Sequence, residues 1–165
     1  MGVFESSDIN DPSLPKLTLI NLTSNILNTI AGELVIGANS GAVAYLVVNN
    51  GTNLIEFVYA NENTFTPGEK VTFKTSQVSG IVQSVITGDK NIKNNFQLNT
   101  NQRLEYVDYS YIVRKSDVAA PTKRLKIVFN NFTLSPNDTG DFVTVDSYDK
   151  SLYGDLPRIN SYASS

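Results

Sequence analysis

The chain has 165 residues, a formal net charge of −3, 41% hydrophobic residues and no His, Cys or Trp. That length suits one ordinary domain or two small ones. The missing residue types exclude disulfides, thiolate metal sites, a Cys nucleophile and the serine triad, and the acidic balance lacks the electrostatic footprint of a nucleic-acid binder. Residues 1–15 (MGVFESSDINDPSLP) read as an acidic, polar N-terminal arm without the basic start and apolar stretch of a secretion signal. Met1-Gly2 fits a loose myristoylation pattern, for which an ordinary start codon is the simpler reading. The chain has no apolar run of the length a membrane-spanning helix needs, so no membrane partner is expected.

From residue 16 onward the chain reads as β structure, with short apolar runs punctuated by Asn and Gly. Lys16–Leu22 (KLTLINL) carries apolar residues on both faces, as a buried strand does. Ser24–Ile30 is the only helix candidate and is under two turns. Ala42–Val48 (AVAYLVV) ends at Asn49-Asn50-Gly51, a strong turn signal, and Asn53–Ala60 (NLIEFVYA) returns as the second strand of a hairpin. Lys70–Thr75 (KVTFKT) alternates at period two, and Ser79–Gly88 (SGIVQSVITG) follows. An internal echo runs through this half. Gly32-Glu33-Leu34-Val35 precedes Ser40-Gly41, and Gly68-Glu69-Lys70-Val71 precedes Ser79-Gly80, with a second loop three residues longer if the two Ser-Gly steps correspond. The expectation is a small Gly-cornered β-barrel over residues 16–90, built either on a duplicated unit or on two hairpins with the same turn vocabulary.

Asp89–Arg103 (DKNIKNNFQLNTNQR) is polar and reads as the break between two parts. Beyond it, Tyr106–Arg114, Arg124–Leu134 and Asp141–Tyr148 read as three strands, with Ala119-Ala120-Pro121 as a connector and Ser135–Gly140 as a hairpin loop. Three strands are few for an independent sheet. The second part, residues 93–165, is therefore expected to be an extended antiparallel β segment that leans on the barrel, on a sister subunit or on further sequence. The fold class expected is all-β: a small barrel followed by that segment.

The second part also carries a resemblance. NNFQLNTNQRLEYVDYSYIVRK, APTKRLKIVFNNFTL and TGDFVTVDSYDKSLYGDLPRI resemble, in that order, a block in large virion structural proteins of T4-like myophages, especially marine and cyanobacterial phages. The matching positions include Phe96, Leu98, Gln102, Arg103, Tyr106, Asp108, Tyr109, Arg114, Lys115, Pro121, Asp141, Phe142, Asp146, Ser147, Tyr148, Asp155 and Pro157, and the resemblance covers roughly residues 93–160. It implies a tail, baseplate or fibre protein located in the virion, with other virion proteins or copies of itself as partners. It supplies no catalytic motif. Proteins of that kind continue past the Asp-Leu-Pro step, so the expectation is either a piece of a longer parent protein or an unusually short relative.

The residues agree with a non-enzymatic reading. Asp138, Asp141, Asp146, Asp149 and Asp155 lack the spacing of a calcium loop and read as turn residues, so no metal or cofactor is expected. Glu33, Glu56, Glu69 and Glu105 show no pairing for glycoside cleavage. Glu33 and Glu69 occupy equivalent turns, where a carboxylate accepting backbone N–H bonds is the cheaper explanation. The Asn-x-Thr triplets at Asn21, Asn50, Asn131 and Asn137 are what a chain rich in Asn and Thr contains by chance. Tyr106, Tyr109, Tyr111, Arg114, Tyr148 and Tyr153 are the candidate interface or ligand contacts, because tyrosine buries a ring while its hydroxyl finds a partner. Arg103, Arg114, Lys115, Lys123, Arg124 and Lys126 form a basic cluster expected to pair with the acidic tail or a neighbouring subunit. The alternative function is a glycan-binding module of a host-attachment fibre, using Tyr and Asn to hold a host surface glycan.

Overall fold

The computed structural model describes residues 2–99 and 111–129. Its strands are β1 (Gly2–Glu5), β2 (Lys16–Ile20), β3 (Leu34–Gly37), β4 (Val43–Asn49), β5 (Leu54–Tyr59), β6 (Lys70–Phe73), β7 (Ser79–Ile86), β8 (Lys90–Asn91), β9 (Phe96–Asn99), β10 (Tyr111–Arg114) and β11 (Leu125–Val128). Single 3₁₀ turns cover Ile26–Asn28 and Lys93–Asn95, so the helix candidate at 24–30 reduces to one turn. The fold is all-β. Strands β2 to β7 close into a six-stranded antiparallel barrel in the order β2-β5-β4-β3-β6-β7.

Inside the barrel sit Leu17, Leu19, Val35, Ala44, Leu46, Ile55, Phe57, Val71, Phe73 and Val82, all within 2% of full burial. They come from alternate positions of their strands, which is how a pleated strand with one covered face must place its apolar set. Phe57 anchors the centre, edge-on to Tyr59 and Phe65 at ring-centroid distances of 4.8 and 5.4 Å.

The barrel is two equivalent β-β-β units, β2-β3-β4 and β5-β6-β7. In each, the third strand carries a bulge that bends it around the barrel. Val47 is skipped where β4 pairs with β5, and Gln83 is skipped where β7 pairs with β2. Gly32 and Gly68 sit at φ 89° and 87°, and Gly41 and Gln77 at 64° and 60°. These four positions correspond 36 residues apart, and so do the backbone bonds from Gly32 N–H to Leu46 O and from Gly68 N–H to Val82 O. The expected alignment of the two Ser-Gly steps is therefore corrected. Ser40-Gly41-Ala42 corresponds to Ser76-Gln77-Val78, and no insertion separates the two units between the Gly-Glu turn and the bulged strand. What defines the loop is its left-handed residue, which Gln77 supplies in place of glycine. Gly80 instead answers a packing need, since a Cβ there would lie 2.9 Å from Leu22 and 3.3 Å from the Ile20 carbonyl.

The N-terminal arm is more than an arm. β1 is the central strand of a three-stranded antiparallel sheet, between β11 and β8. Its Phe4, with Leu14 and Val58, forms a second buried cluster against which Val47 and Val128 pack. Val47 is the bulged residue of β4, so the irregularity that curves the barrel also turns a valine outward to receive this sheet. The stretch expected as a polar break is where the sheet is fastened. Ile92 is buried and donates its N–H to Val3 O (2.6 Å), and the Asn91 side chain accepts from Val3 N–H (3.3 Å). The Asp89 carboxylate accepts from the N–H groups of Ser7 and Ser13 at 3.0 and 2.8 Å. Those bonds, from Ser13 and Ser7, hold Asp89 below the ordinary carboxylate range. Five asparagines made the stretch look like a linker, but Asn91 uses its short side chain as a backbone mimic, accepting from the N–H groups of Val3 and Lys93.

Candidate contact surface

Beyond the barrel, two strands form a ribbon of their own. β9 and β10 pair antiparallel with Tyr111 opposite Asn99, Ile112 opposite Leu98, Val113 opposite Gln97 and Arg114 opposite Phe96. Residues directly opposite share a face, so Tyr111, Val113, Gln97 and Asn99 line one side and Phe96, Leu98, Ile112 and Arg114 the other. Leu98 (56% exposed), Tyr111 (55%) and Val113 (39%) are thus apolar groups on both faces of a two-stranded ribbon. Such a ribbon is marginal in water by itself. Apolar exposure of this kind is what an interface uses.

β11 adds a second apolar row. Its register with β1 pairs Val128 with Gly2, Ile127 with Val3, Lys126 with Phe4 and Leu125 with Glu5. Val128 turns inward to the Phe4 cluster, whereas Leu125, Ile127 and the following Phe129 are 36%, 41% and 59% exposed. The richer apolar face of this strand is therefore the outer one. The alternation itself was visible in the sequence, but which face another element covers is a tertiary fact that alternation does not encode.

Of the six residues singled out from sequence, the structure describes two. Tyr111 stands exposed on β10, and Tyr106, Tyr109, Tyr148 and Tyr153 lie outside the described residues. Arg114 bonds back along its own chain, donating to the carbonyls of Lys115 and Val118, so its guanidinium shapes the turn after β10. The basic residues expected to meet the acidic tail or a neighbouring subunit find another partner in two cases. Arg124 pairs with Asp11 (2.9 Å) and Lys123 donates to the Ser7 carbonyl, both in the N-terminal arm. The Glu5 carboxylate in turn accepts from Thr122 N–H at 3.0 Å. Residues 122–124 are thereby laced to the arm, which sets where β11 starts. Leu98, Val113 and Phe129 carry no contact signal in the sequence, because an exposed apolar residue in an alternating strand reads the same as a buried one.

A small polar cleft lies between the barrel rim and the β8–β9 connection, lined by Tyr59, Asn61, Asn63, Asn91 and Lys93 among others. Its polar groups are largely committed. Asn61 accepts from Val43 N–H and donates to Gly41 O, Asn63 donates to the same carbonyl, and Tyr59 Oη accepts from Phe65 N–H. Burial, with a smaller push from the nearby Glu69 charge, raises the Tyr59 hydroxyl above its ordinary value against the opposing effect of the Phe65 N–H.

The two buried glutamates act as supports, as their turns suggested. Glu33 Oε1 accepts from Ile30 N–H (2.7 Å), and its Oε2 accepts from Thr75 and Ser76 N–H (2.9 Å each). Glu69 Oε1 accepts from Thr66 N–H (2.6 Å), and its Oε2 accepts from Asn39 and Ser40 N–H (3.1 and 3.0 Å). The equivalence breaks at one atom: Ser40 Oγ donates to Glu69 (2.9 Å), whereas the buried Ser76 Oγ has no partner. Ser40→Ala is therefore expected to cost about 2 kcal/mol, as for a bond to a charged acceptor, while Ser76→Ala stays near neutral. Chemical denaturation of both variants checks this; equal costs would contradict it.

Among the described residues no three carboxylates converge to hold a metal, and no helix is long and apolar enough to cross a membrane. Compared with known proteins, the chain matches no family model, no curated protein and no solved structure.

Proposed function

We propose that this chain is a non-enzymatic structural component of a phage virion, in a tail, baseplate or fibre, and that it works through contacts with other virion proteins or copies of itself. The observation that carries the reading is the β9–β10 ribbon, which exposes Leu98 on one face and Tyr111 and Val113 on the other. The virion assignment rests on the ordered resemblance over residues 93–160, within which the ribbon and β11 fall. A rigid barrel held by internal bonds, bearing a projecting apolar ribbon, suits a part whose work is to bind neighbours by burial and strand pairing.

Light scattering of the full chain over a concentration series tests the contact role. The expected result is self-association that Leu98→Lys with Val113→Lys abolishes, while far-UV circular dichroism stays unchanged. A chain that remains monomeric throughout, and whose double variant behaves identically, contradicts the reading. The glycan-binding alternative draws on the exposed ring of Tyr111. Glycan-array binding that Tyr111→Ala abolishes would put that alternative first.

A further inference from the structure

Each glutamate holds the loop of the other unit. Glu33, in the first β-β-β unit, grips Thr75 and Ser76 of the β6–β7 loop. Glu69, in the second unit, grips Asn39 and Ser40 of the β3–β4 loop. Both side chains are 1% exposed. The two grips flank the β3–β6 pairing, where Val35 meets Phe73 and Gly37 meets Val71, so they close the one seam at which the loop-bearing strands of the two units meet.

We propose that Glu33 and Glu69 are reciprocal catches that keep the two halves of the barrel closed on each other, and that the Glu69 catch opens when its carboxylate is protonated. A carboxylate can accept from several N–H groups at once, whereas a carboxylic acid turns one oxygen into a donor. A proton on Glu69 therefore removes acceptor capacity that Thr66, Asn39 and Ser40 need, and it leaves buried donors unmatched. Gly37 keeps the catch close. A Cβ there would stand 2.7 Å from both Glu69 Oε2 and Ser40 Oγ, so no side chain fits between the carboxylate and its strand.

The surroundings of Glu69 leave its charge to these bonds. Burial opposes ionisation, but the N–H groups of Ser40, Thr66 and Asn39 and the Ser40 hydroxyl outweigh it and set the group below its ordinary value of 4.5. The Tyr59 hydroxyl on β5 is the titratable group whose titration feels the Glu69 charge. Lys70, next along the chain, is exposed, as is Lys74 in the loop gripped by Glu33. The ion pairs among the described residues, Lys16–Glu56 and Arg124–Asp11, involve neither catch. Because the folded value is depressed, the stability contributed is complete above the ordinary carboxylate range and is lost as pH falls through the folded value.

Amide hydrogen exchange on the full chain, corrected for intrinsic rates, tests the proposal. Glu33→Gln should speed exchange at Thr75 and Ser76, and Glu69→Gln at Asn39 and Ser40, each by about tenfold or more, with the other loop far less affected. Acidification of the wild type from pH 7 to below 4 should deprotect Asn39 and Ser40 ahead of the β4–β5 hairpin, and Glu69→Gln should remove that pH dependence. Wild-type loops that keep full protection in acid overturn the acid step. Variants that deprotect only their own unit's turn, or both loops equally, overturn the reciprocal catch. If a variant fails to fold, the wild-type acid series alone still decides the acid step. The contact reading of the ribbon is untouched by either result, because it is read from oligomeric state at neutral pH.

Discussion

Gly88→Ala is expected to destabilise the chain by about 3 kcal/mol, the upper range for forcing an extra carbon into a packed site, and to lift the N-terminal arm from its seat. A Cβ at this position would lie 2.5 Å from the carbonyl carbon of Leu14, from the nitrogen of Pro15 and from the oxygen of Ser13. All three are backbone atoms, so no rotamer change can make room. The chain must separate, and it must do so next to Asp89, whose N–H bonds Ser13 O at 2.9 Å and whose carboxylate holds Ser7 and Ser13. Leu14, 1% exposed, and Phe4 would lose part of their cover with it. Thermal unfolding together with limited proteolysis checks the prediction, with new cleavage expected between residues 6 and 13. An unchanged midpoint with an uncut arm would mean that the contact at Gly88 is looser than the structure has it.

This seat also marks the boundary of what the sequence could disclose. Five of the six barrel strands follow from short apolar runs, with a period of two at Lys70–Thr75, and from the Asn-Gly turn at 50–51, and they lie within a residue or two of where those signals end. β3 was visible only as part of the Gly-Glu echo, because Leu34–Gly37 is too short to show a period. The role of Glu33 and Glu69 could be read because a glutamate after a glycine in two like turns has few other uses. β1 could not be read. Four residues in an acidic arm carry no period, and the partner at Leu125–Val128 lies more than a hundred positions away, a pairing that only the closed fold specifies. Asp89, Asn91 and Ile92 were hidden for a related reason. A polar stretch that bonds distant backbone looks the same in sequence as one that bonds water.

Phe57→Ala is expected to be the most damaging single change in the barrel, costing about 4 kcal/mol and lowering the unfolding midpoint by about 10 °C for a chain of this size. Phe57 is fully buried, and its ring meets Tyr59 and Phe65 edge-on, so its removal takes away area, two aromatic contacts and the filling of the barrel centre at once. The two-unit architecture sharpens the expectation. Leu19 occupies the corresponding place in the first unit, since it meets Val82 across β7 as Phe57 meets Leu46 across β4. The units match in backbone and differ in volume: Phe73 likewise stands where the first unit has Gly37, whose site has no room for a side chain beside Glu69. A barrel this narrow holds large rings on one side only where the other side is small. Leu19→Ala should therefore cost less than Phe57→Ala, because a smaller group leaves the smaller cavity. Denaturant unfolding of both variants, fitted with a common slope, decides the order. Equal or reversed costs would show that the interior relaxes around Phe57, and that the asymmetry between the units is tolerated rather than required.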